Sequence, residues 1–246
     1  MAMNPQELVK AVCPKIADAG WAYYFASGTV ARGKELGLDV FGFYVMGRGG
    51  VLGDVEWQVV HSAFGYFNPE VVREMWNAGR EKVAPRVAGR AYIECCQNLG
   101  RARLAAIEGL DGFCRAARAV IDAADNPGLP LYAAISAEPL AEDTPARAMQ
   151  LVSVLREFRG SAHLLAVVAS GLSPREAHFL RHPDDMGMFG WPDGDITQVG
   201  DEHRARLQRA EALTDELVSP AYSVLDPAAA SSLVEGIEAI EVALKA

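Results

Sequence analysis

The chain has 246 residues, about half of them apolar, and a formal net charge of −9. This length and apolar content suffice for a full hydrophobic core in one large domain or two smaller ones. The longest uncharged apolar run, near residues 41–46, is too short to span a bilayer. The acidic charge disfavours a nucleic-acid binder, because basic side chains that neutralise phosphates supply most of the affinity for DNA. No basic segment followed by an apolar one opens the chain, so we expect an unexported, cytoplasmic protein.

Helical patterns dominate the first half of the chain. Capping residues, first-turn prolines and apolar spacing predict helices at residues 6–16, at 54–61, from 69 onward, at 86–108 and at 110–124. Between the first two, residues 20–53 are rich in glycine and aromatic residues and predict an irregular segment. Within it, residues 41–46 are typical of a short strand.

A break rich in proline and glycine divides the chain. Residues 125–130 form this break, so we predict an N-terminal helical domain at 1–128 and a C-terminal one at 129–246. The second part predicts helices at residues 144–168, 174–182, 202–218 and 231–244. The number of helices predicts an all-α protein, built as a two-part helical bundle.

The helix that starts at Thr144 organises the second part. Apolar residues recur every three or four positions over residues 151–168, which predicts one long helix with an apolar face. Arg159 and His163 are one turn apart and share a second face. Gly160, inside this helix, costs about 1 kcal/mol relative to alanine. Such a glycine usually indicates that another backbone or a ligand comes close.

Arg159 and His163 are the first candidate site residues. If the protein is an enzyme, His163 would be the acid or base and Arg159 would stabilise an anion or oxyanion. The alternative is a buried arginine and histidine that pair with carboxylates across the interface between the halves. Structural ion pairs of that kind have the same appearance in a sequence.

A second set of candidates surrounds the segment 63–69. His61 and Tyr66 could line a pocket for a flat, mostly apolar ligand, and Trp191 could act as a lid residue over that pocket. Aromatic residues at this density are also typical of a core, so both interpretations stay open.

Two further motifs have weaker chemical interpretations. His178 and His182 have the spacing that places two imidazoles on one face of a helix, so a metal site is chemically possible, and a solvated helix end is the alternative. The glycine-rich residues 47–53 could bind phosphate but lack a nucleotide-binding fingerprint, and a tight turn explains them as well. The sequence assigns no cofactor.

Three segments resemble an actinobacterial family of helix-turn-helix-like proteins that is largely uncharacterised. They are residues 155–163 (LREFRGSAH), residues 171–177 (GLSPREA) and residues 63–69 (AFGYFNP). Residues 196–200 (ITQVG), which lead into a long helix, are similar to the wing strand and following helix of winged-helix regulators. The resemblance implies a winged-helix-like C-terminal half, and it implies architecture more than chemistry.

The position of the DNA-reading helix argues against DNA binding. A winged helix reads DNA with a helix laid in the major groove. Here that helix would lie between His182 and Ile196, where thirteen residues include four aspartates and no lysine or arginine. Prolines and glycines in this stretch disfavour a helix, and the carboxylates would face phosphate. We therefore expect a degenerate winged-helix scaffold that does not bind DNA.

Three functional hypotheses follow from these patterns. The first is a small-molecule site between the two halves, either binding or catalytic, in specialised metabolism. The second is a MarR-like winged-helix transcription regulator, favoured by the wing-like segment and the terminal helices. The third is a structural or partner-binding protein without a pocket. The two C-terminal amphipathic helices predict a homodimer, because winged-helix relatives pair in that way, although they could equally close the monomer's own core.

Overall fold

The computed structural model describes residues 3–192 and 198–246. Within these residues the protein is all-α and has no β-strand, which confirms the predicted fold class. The α-helices are α1 Pro5–Gly20, α2 Ser27–Glu35, α3 Val40–Gly49, α4 Trp57–Phe64, α5 Pro69–Arg80, α6 Pro85–Leu104, α7 Leu110–Ala123, α8 Pro130–Ser136, α9 Thr144–Ala169, α10 Pro174–Arg181, α11 Asp201–Tyr222 and α12 Pro227–Lys245. Two 3-10 helices span Gly50–Leu52 and Pro183–Phe189. None of the described helices combines the length and the apolar character that crossing a membrane requires.

The predicted strand at residues 41–46 is wrong, because these residues lie inside α3. The carboxylate of Asp39 caps this helix by accepting a hydrogen bond from the backbone N–H of Gly42 at 2.6 Å. A short apolar run has the same pattern in a buried helix as in a buried strand, so its periodicity could not separate the two.

Two glycines, one just after α3 and one inside α6, permit a close contact between two backbones. A Cβ atom on Gly50 would lie 2.1 Å from the carbonyl oxygen of Pro85, at the start of α6. A Cβ atom on Gly89 would likewise lie 2.9 Å from the carbonyl carbon of Gly50. Packing of α3 and its following turn against α6 therefore requires these glycines.

The central helix of the molecule is α9, which packs against α1, α6, α7, α8 and α11. Because it has neighbours on several sides, even its polar residues Gln150, Ser153 and Glu157 are buried. The predicted single apolar face is therefore only partly right. Leu165 and Val168, which the spacing assigned to that face, are 42% and 57% exposed.

Helices from both predicted halves contribute to one main apolar core. Across the predicted boundary, α9 packs on α6 and α7, and α12 packs on α7 and α1. The boundary falls between α7 and α8, and the division into two domains stays a prediction.

A smaller apolar core lies between the end of α9, α10 and α11. Its buried members are Ala166, Val167, Leu172, Ala177 and Ala210. Gly171, with φ +77°, allows the sharp turn between α9 and α10, and the side chain of Ser173 caps α10. These three helices enclose the region where most of the predicted site residues lie.

Candidate functional site

Tyr66 reaches this smaller core from the turn between α4 and α5. Gly65 ends α4 with φ +62°, and Asn68 caps α5, so Tyr66 and Phe67 lie on a short connection. This connection is pressed against α9, because a Cβ atom on Gly65 would lie 2.4 Å from Leu164 Cδ1. The Tyr66 side chain then packs against the smaller core.

The Tyr66 cluster consists of Tyr66, His163, His178, Phe189 and Trp191. The Tyr66 ring stacks on His163 with centroids 6.5 Å apart, and it lies 6.1 Å from the His178 ring. His178 in turn contacts Phe189, with centroids 3.8 Å apart. The structure therefore brings together Tyr66, His163 and His178, which the sequence analysis named for different roles, and Trp191 contacts the Tyr66 backbone.

The hydrogen bonds of His163 identify its tautomer. The hydroxyl of Thr214 donates to the carbonyl oxygen of Ala210 at 2.7 Å, so at His163 Nδ1, 3.0 Å away, this hydroxyl oxygen acts as an acceptor. Nδ1 therefore bears the proton, and Nε2 accepts from Arg181 Nη1 at 3.3 Å. Both ring nitrogens of His163 are occupied in this arrangement.

Burial of His163 also keeps it neutral. Desolvation lowers the pKa of His163 from its ordinary 6.5 to about 4, because the surrounding protein disfavours the charged imidazolium. Glu211 opposes this effect, with its carboxylate oxygen 3.7 Å from Nε2, while Arg181 and Arg159 reinforce it. At neutral pH the imidazole is a hydrogen-bonding group and not a charge.

Arg159 pairs with carboxylates of α11. Its Nη2 donates to Glu211 at 3.3 Å and to Asp215 at 3.1 Å. The other carboxylate oxygen of Glu211 accepts from Arg181 at 2.9 Å, so Glu211 links the two arginines beside His163. Arg159 therefore pairs with carboxylates, as the structural alternative expected, but these carboxylates belong to the same predicted half and not to the other one. The catalytic roles of Arg159 and His163 stay predictions.

His178 is buried, with 6% of its surface exposed, so the solvated helix end expected for it is wrong. Burial first, and then the neighbouring His182, lower the pKa of His178 to about 4. His182 itself lies at the surface with its side chain 52% exposed. In the described residues no group of three or more histidines, cysteines or acidic residues is arranged to hold a metal ion.

Two buried polar atoms of the cluster have no hydrogen-bond partner among the described residues. They are the hydroxyl oxygen of Tyr66 and Nε2 of His178. Burial raises the pKa of Tyr66, so its hydroxyl stays protonated and can donate. A buried polar atom without a partner costs about 1–3 kcal/mol, which makes these two atoms the most unusual feature of the cluster.

A cover segment, residues 183–191, closes this cluster. Its last residues bind the Tyr66–Asn68 turn through three hydrogen bonds. Asn68 donates through its backbone N–H to Phe189 O at 2.9 Å and through its side chain to Gly190 O at 3.0 Å. The indole N–H of Trp191 donates to Tyr66 O at 2.9 Å. Trp191 is therefore half-buried against the turn, and the lid role expected for it stays a prediction.

The cover segment occupies the position expected for a DNA-reading helix. Its described residues form a 3-10 helix with no lysine or arginine. The wing-like segment at 196–200 falls in part on Ile196 and Thr197, which lie outside the described residues.

His61 lies beside the cluster. Its Nε2 is 3.2 Å from Phe67 O, and its ring is 6.4 Å from that of Trp57. It thus contacts the connection from which Tyr66 extends.

Two surface cavities of the described residues lie along α7 and include no residue of the Tyr66 cluster. His163 and His178 are each 6% exposed, so a pocket at these side chains is closed in this structure.

A buried ion network lies six residues before His163 on α9. Glu157 accepts hydrogen bonds from Arg48 Nε at 2.8 Å and Arg48 Nη2 at 2.7 Å, which form a two-point contact. Tyr24 donates to the same carboxylate at 3.0 Å, and Arg156 approaches it at 3.2 Å. The Glu157 side chain is 1% exposed.

Electrostatics hold Glu157 ionised in spite of this burial. Desolvation alone would raise the pKa of Glu157, but the guanidinium groups of Arg48 and Arg156 lower it to about 2. Two arginines against one carboxylate leave this network with a net positive charge. The sequence reasoning missed it, and the signal that could have found it is an acidic residue inside a mostly apolar helix.

Aromatic rings connect the Glu157 network to the Tyr66 cluster. Arg48 hydrogen-bonds Tyr44 at 2.9 Å, and the Tyr44 ring lies 5.7 Å from Phe67. Phe67 packs 4.3 Å from Phe189, which contacts His178. One continuous strip of polar and aromatic side chains therefore connects Glu157 with the cover segment.

Comparison with known proteins identifies a family for this fold and site. A model described as a helix-turn-helix family matches residues 11–198, about three quarters of the chain. No curated protein and no solved structure matches the chain. The matched residues include both the Glu157 network and the Tyr66 cluster. The chain therefore belongs to a helix-turn-helix family.

Proposed function

We propose that this protein binds a small molecule at the Tyr66 cluster, beneath the cover segment. The observation that supports the proposal is the pair of unpartnered polar atoms, Tyr66 Oη and His178 Nε2. A bound molecule that hydrogen-bonds both atoms would remove a desolvation cost that the free protein bears. Function is a common reason for such atoms to persist in a buried site.

The chemistry of the cluster favours a flat, mostly apolar ligand with one or two polar groups. Tyr66 and Phe189 offer aromatic surface, while the phenol and the neutral imidazoles offer hydrogen bonds without charge. Entry requires the cover segment to move, because the cluster is packed. Opening breaks the three hydrogen bonds at the end of that segment and the contacts of Phe189 with Phe67 and His178.

A catalytic role, if the protein has one, would belong to His163 and Arg159. His163 Nε2 bears a lone pair that Arg181 now occupies. An anionic group on a substrate would attract Arg181 and Arg159 and release this nitrogen to accept a proton. Binding is the function proposed, and proton transfer at His163 Nε2 is its catalytic extension.

Replacing Tyr66 by phenylalanine is expected to leave the free energy of unfolding unchanged or to raise it by up to about 1 kcal/mol, because the hydroxyl has no partner to lose. Tyr132→Phe is the matched control, since that hydroxyl donates to Ile121 O at 3.0 Å, and it should cost about 1 kcal/mol. Urea denaturation measures both. Equal losses in the two variants would mean that the Tyr66 hydroxyl is satisfied in the free protein.

The ligand itself is tested by native mass spectrometry after incubation with a cell extract filtered to remove macromolecules. We expect a mass adduct on the wild-type chain that is lost in Tyr66→Phe. Tyr92→Phe is the control, because Tyr92 also has a buried hydroxyl without a partner but lies outside the cluster. Absence of any adduct on the wild type, or its retention in Tyr66→Phe, would contradict the proposal.

A transcription regulator of the MarR-like, winged-helix kind is the second candidate, and family membership favours it. Against DNA binding, the basic side chains of α10 are engaged within the chain. Arg175 lies over the Trp191 ring at 4.5 Å, and Arg181 pairs with Glu211. The exposed cover segment adds acidic charge. These features support a degenerate winged-helix scaffold.

In a gel-shift assay with sheared genomic DNA near physiological salt, we therefore expect no shift at micromolar protein. Arg175→Gln tests whether a basic side chain of α10, the helix just before the cover segment, contributes to any shift. A shift that this substitution abolishes would favour the regulator and refute the degenerate scaffold.

The proposal also covers the oligomeric state, the cellular location, the metabolic role and the domain division of the protein. We propose a cytoplasmic homodimer that serves specialised metabolism, with two helical domains divided near residue 128. Exposed apolar side chains at Leu217, Val224 and Val242, on or beside α11 and α12, support pairing through this face. Other residues of α12, such as Ile237, are buried in the chain's own core. Light scattering on the purified protein measures the subunit number.

A further inference from the structure

A surface groove runs along α7, away from the Tyr66 cluster. One of its walls is a face of α7 that includes Arg115 and Arg118, and the opposite wall contains Leu140, Arg147 and Leu151. Its volume is about 580 Å³. This volume is within the usual range of about 300–1,000 Å³ for small-molecule sites.

The charged side chains of the groove favour an anion. Arg147 lies 3.6 Å from Asp111, and Arg118 donates to Asp122 at 2.9 Å, so both arginines are held in place by aspartates. Arg115 forms no ion pair with a carboxylate of the described residues. Three arginines against two aspartates give the groove a net positive charge in a chain whose net charge is −9.

The remaining surface of the groove is apolar. Cys114 is 5% exposed and lies in the groove with Leu140 and Leu151. A second cavity of about 210 Å³, lined in part by Ile107, adjoins the groove because both include Asp111. An elongated molecule could place its charged end at the arginines and its apolar end against Leu140, which is partly exposed in the groove.

We propose that the α7 groove binds an apolar molecule bearing one anionic group, such as a carboxylate. Arg115 supplies the uncommitted charge, and Arg118 and Arg147 supply N–H groups already oriented by their aspartates. The apolar floor contributes affinity through buried hydrocarbon. No residue of this groove belongs to the Tyr66 cluster, so this site is independent of the function proposed above.

Isothermal titration calorimetry with octanoate tests the proposal on the full chain. We expect saturable binding of octanoate at one site. Octyltrimethylammonium, which has the same tail and the opposite charge, should not bind, and inorganic phosphate, which has no tail, should bind at least about tenfold more weakly. Equal binding of the two octyl probes would overturn the proposal, since it would indicate a charge-independent apolar surface.

Two substitutions locate the site. Arg115→Gln should weaken octanoate about tenfold through loss of one charge-assisted contact. Ala119→Leu fills the groove from its α7 wall and should abolish binding, with the helix retained because leucine is a good helix former. Arg32→Gln, an exposed arginine of α2 paired with Glu35, is the matched control and should bind octanoate as the wild type does.

The outcomes separate this groove from the Tyr66 cluster. Octanoate affinity that is unchanged in both Arg115→Gln and Ala119→Leu would refute the groove. Octanoate affinity that is lost in Tyr66→Phe would also refute it, because the probe would then occupy the cluster. Retention of octanoate binding by Tyr66→Phe, with loss in Ala119→Leu, supports the groove whatever the extract experiment shows.

Discussion

Replacing Glu157 with glutamine is expected to lower the free energy of unfolding by about 3–5 kcal/mol, the largest effect of any single substitution considered for this protein. The carboxylate is almost completely buried and neutralises Arg48 through a two-point contact. Glutamine retains the shape but removes the charge, which leaves two arginines without a counter-ion in a region of low polarity. Urea denaturation at pH 7 measures the loss.

A surface pair supplies the control for this substitution. Glu35 pairs with Arg32 at 2.8 Å, with its side chain 63% exposed, so Glu35→Gln should cost less than about 1 kcal/mol. A double-mutant cycle gives a second test. Once Arg48→Gln has removed the main partner, Glu157→Gln should cost much less than it does in the wild-type chain.

Similar costs for Glu157→Gln and Glu35→Gln would contradict this account of the network. Such a result would mean that water reaches the carboxylate and that the net positive charge beside α9 is solvated. The expected large loss, by contrast, would make the network a rigid support for the strip that leads to the Tyr66 cluster.

The helices were predictable because their signals are local. Asn68 followed by Pro69, and Ser173 followed by Pro174, each place a cap and a first-turn proline together, and α5 and α10 begin at those prolines. The segment 41–46 failed for the opposite reason. Its helical state depends on burial against α5 and α6, which residues within the segment do not encode.

Three of the five predicted site residues lie together in the structure, and the role of the site stays a prediction. Tyr66, His163 and Trp191 were chosen from separate stretches, and the fold brings them together. The partners of His163 were missed, because Arg181 and Thr214 lie 18 and 51 residues away along the chain. A helical pattern identifies which residues share a face, but it does not identify the helix that covers that face.

Glu157 shows the same limitation more clearly. Its main partner, Arg48, is 109 residues distant, and the glycines around Arg48 suggested a phosphate-binding turn. For Gly160, only one of the two expected explanations is tested by the structure. No backbone of a neighbouring element approaches it, and a Cβ atom there would have only the Glu157 carboxylate within 4.0 Å. Of the two reasons for such a glycine, close approach by another backbone is excluded for the described residues.

Lowering the pH from 7 to 5 is expected to reduce the free energy of unfolding by about 4 kcal/mol through His163 and His178. Each has a pKa of about 4 in the folded protein and an ordinary value of 6.5. Below pH 6.5 the unfolded chain therefore binds protons that the folded protein does not accept. The stabilisation is complete above pH 6.5 and is lost as the pH falls toward 4.

Substitution of each histidine separates this effect from that of the carboxylates. Glu157 makes the free energy of unfolding depend on pH mainly below pH 4.5, which is its ordinary pKa and lies outside the measured range. His163→Gln and His178→Gln should each remove about half of the change between pH 7 and pH 5. His182→Gln, at an exposed position, should remove only a small part of it, because His182 is a secondary cause of the lowered pKa of His178. If the free energy of unfolding of the wild type does not change between pH 7 and pH 5, water or a proton enters the cluster freely. The closed, neutral site on which ligand binding is proposed would then have to be abandoned.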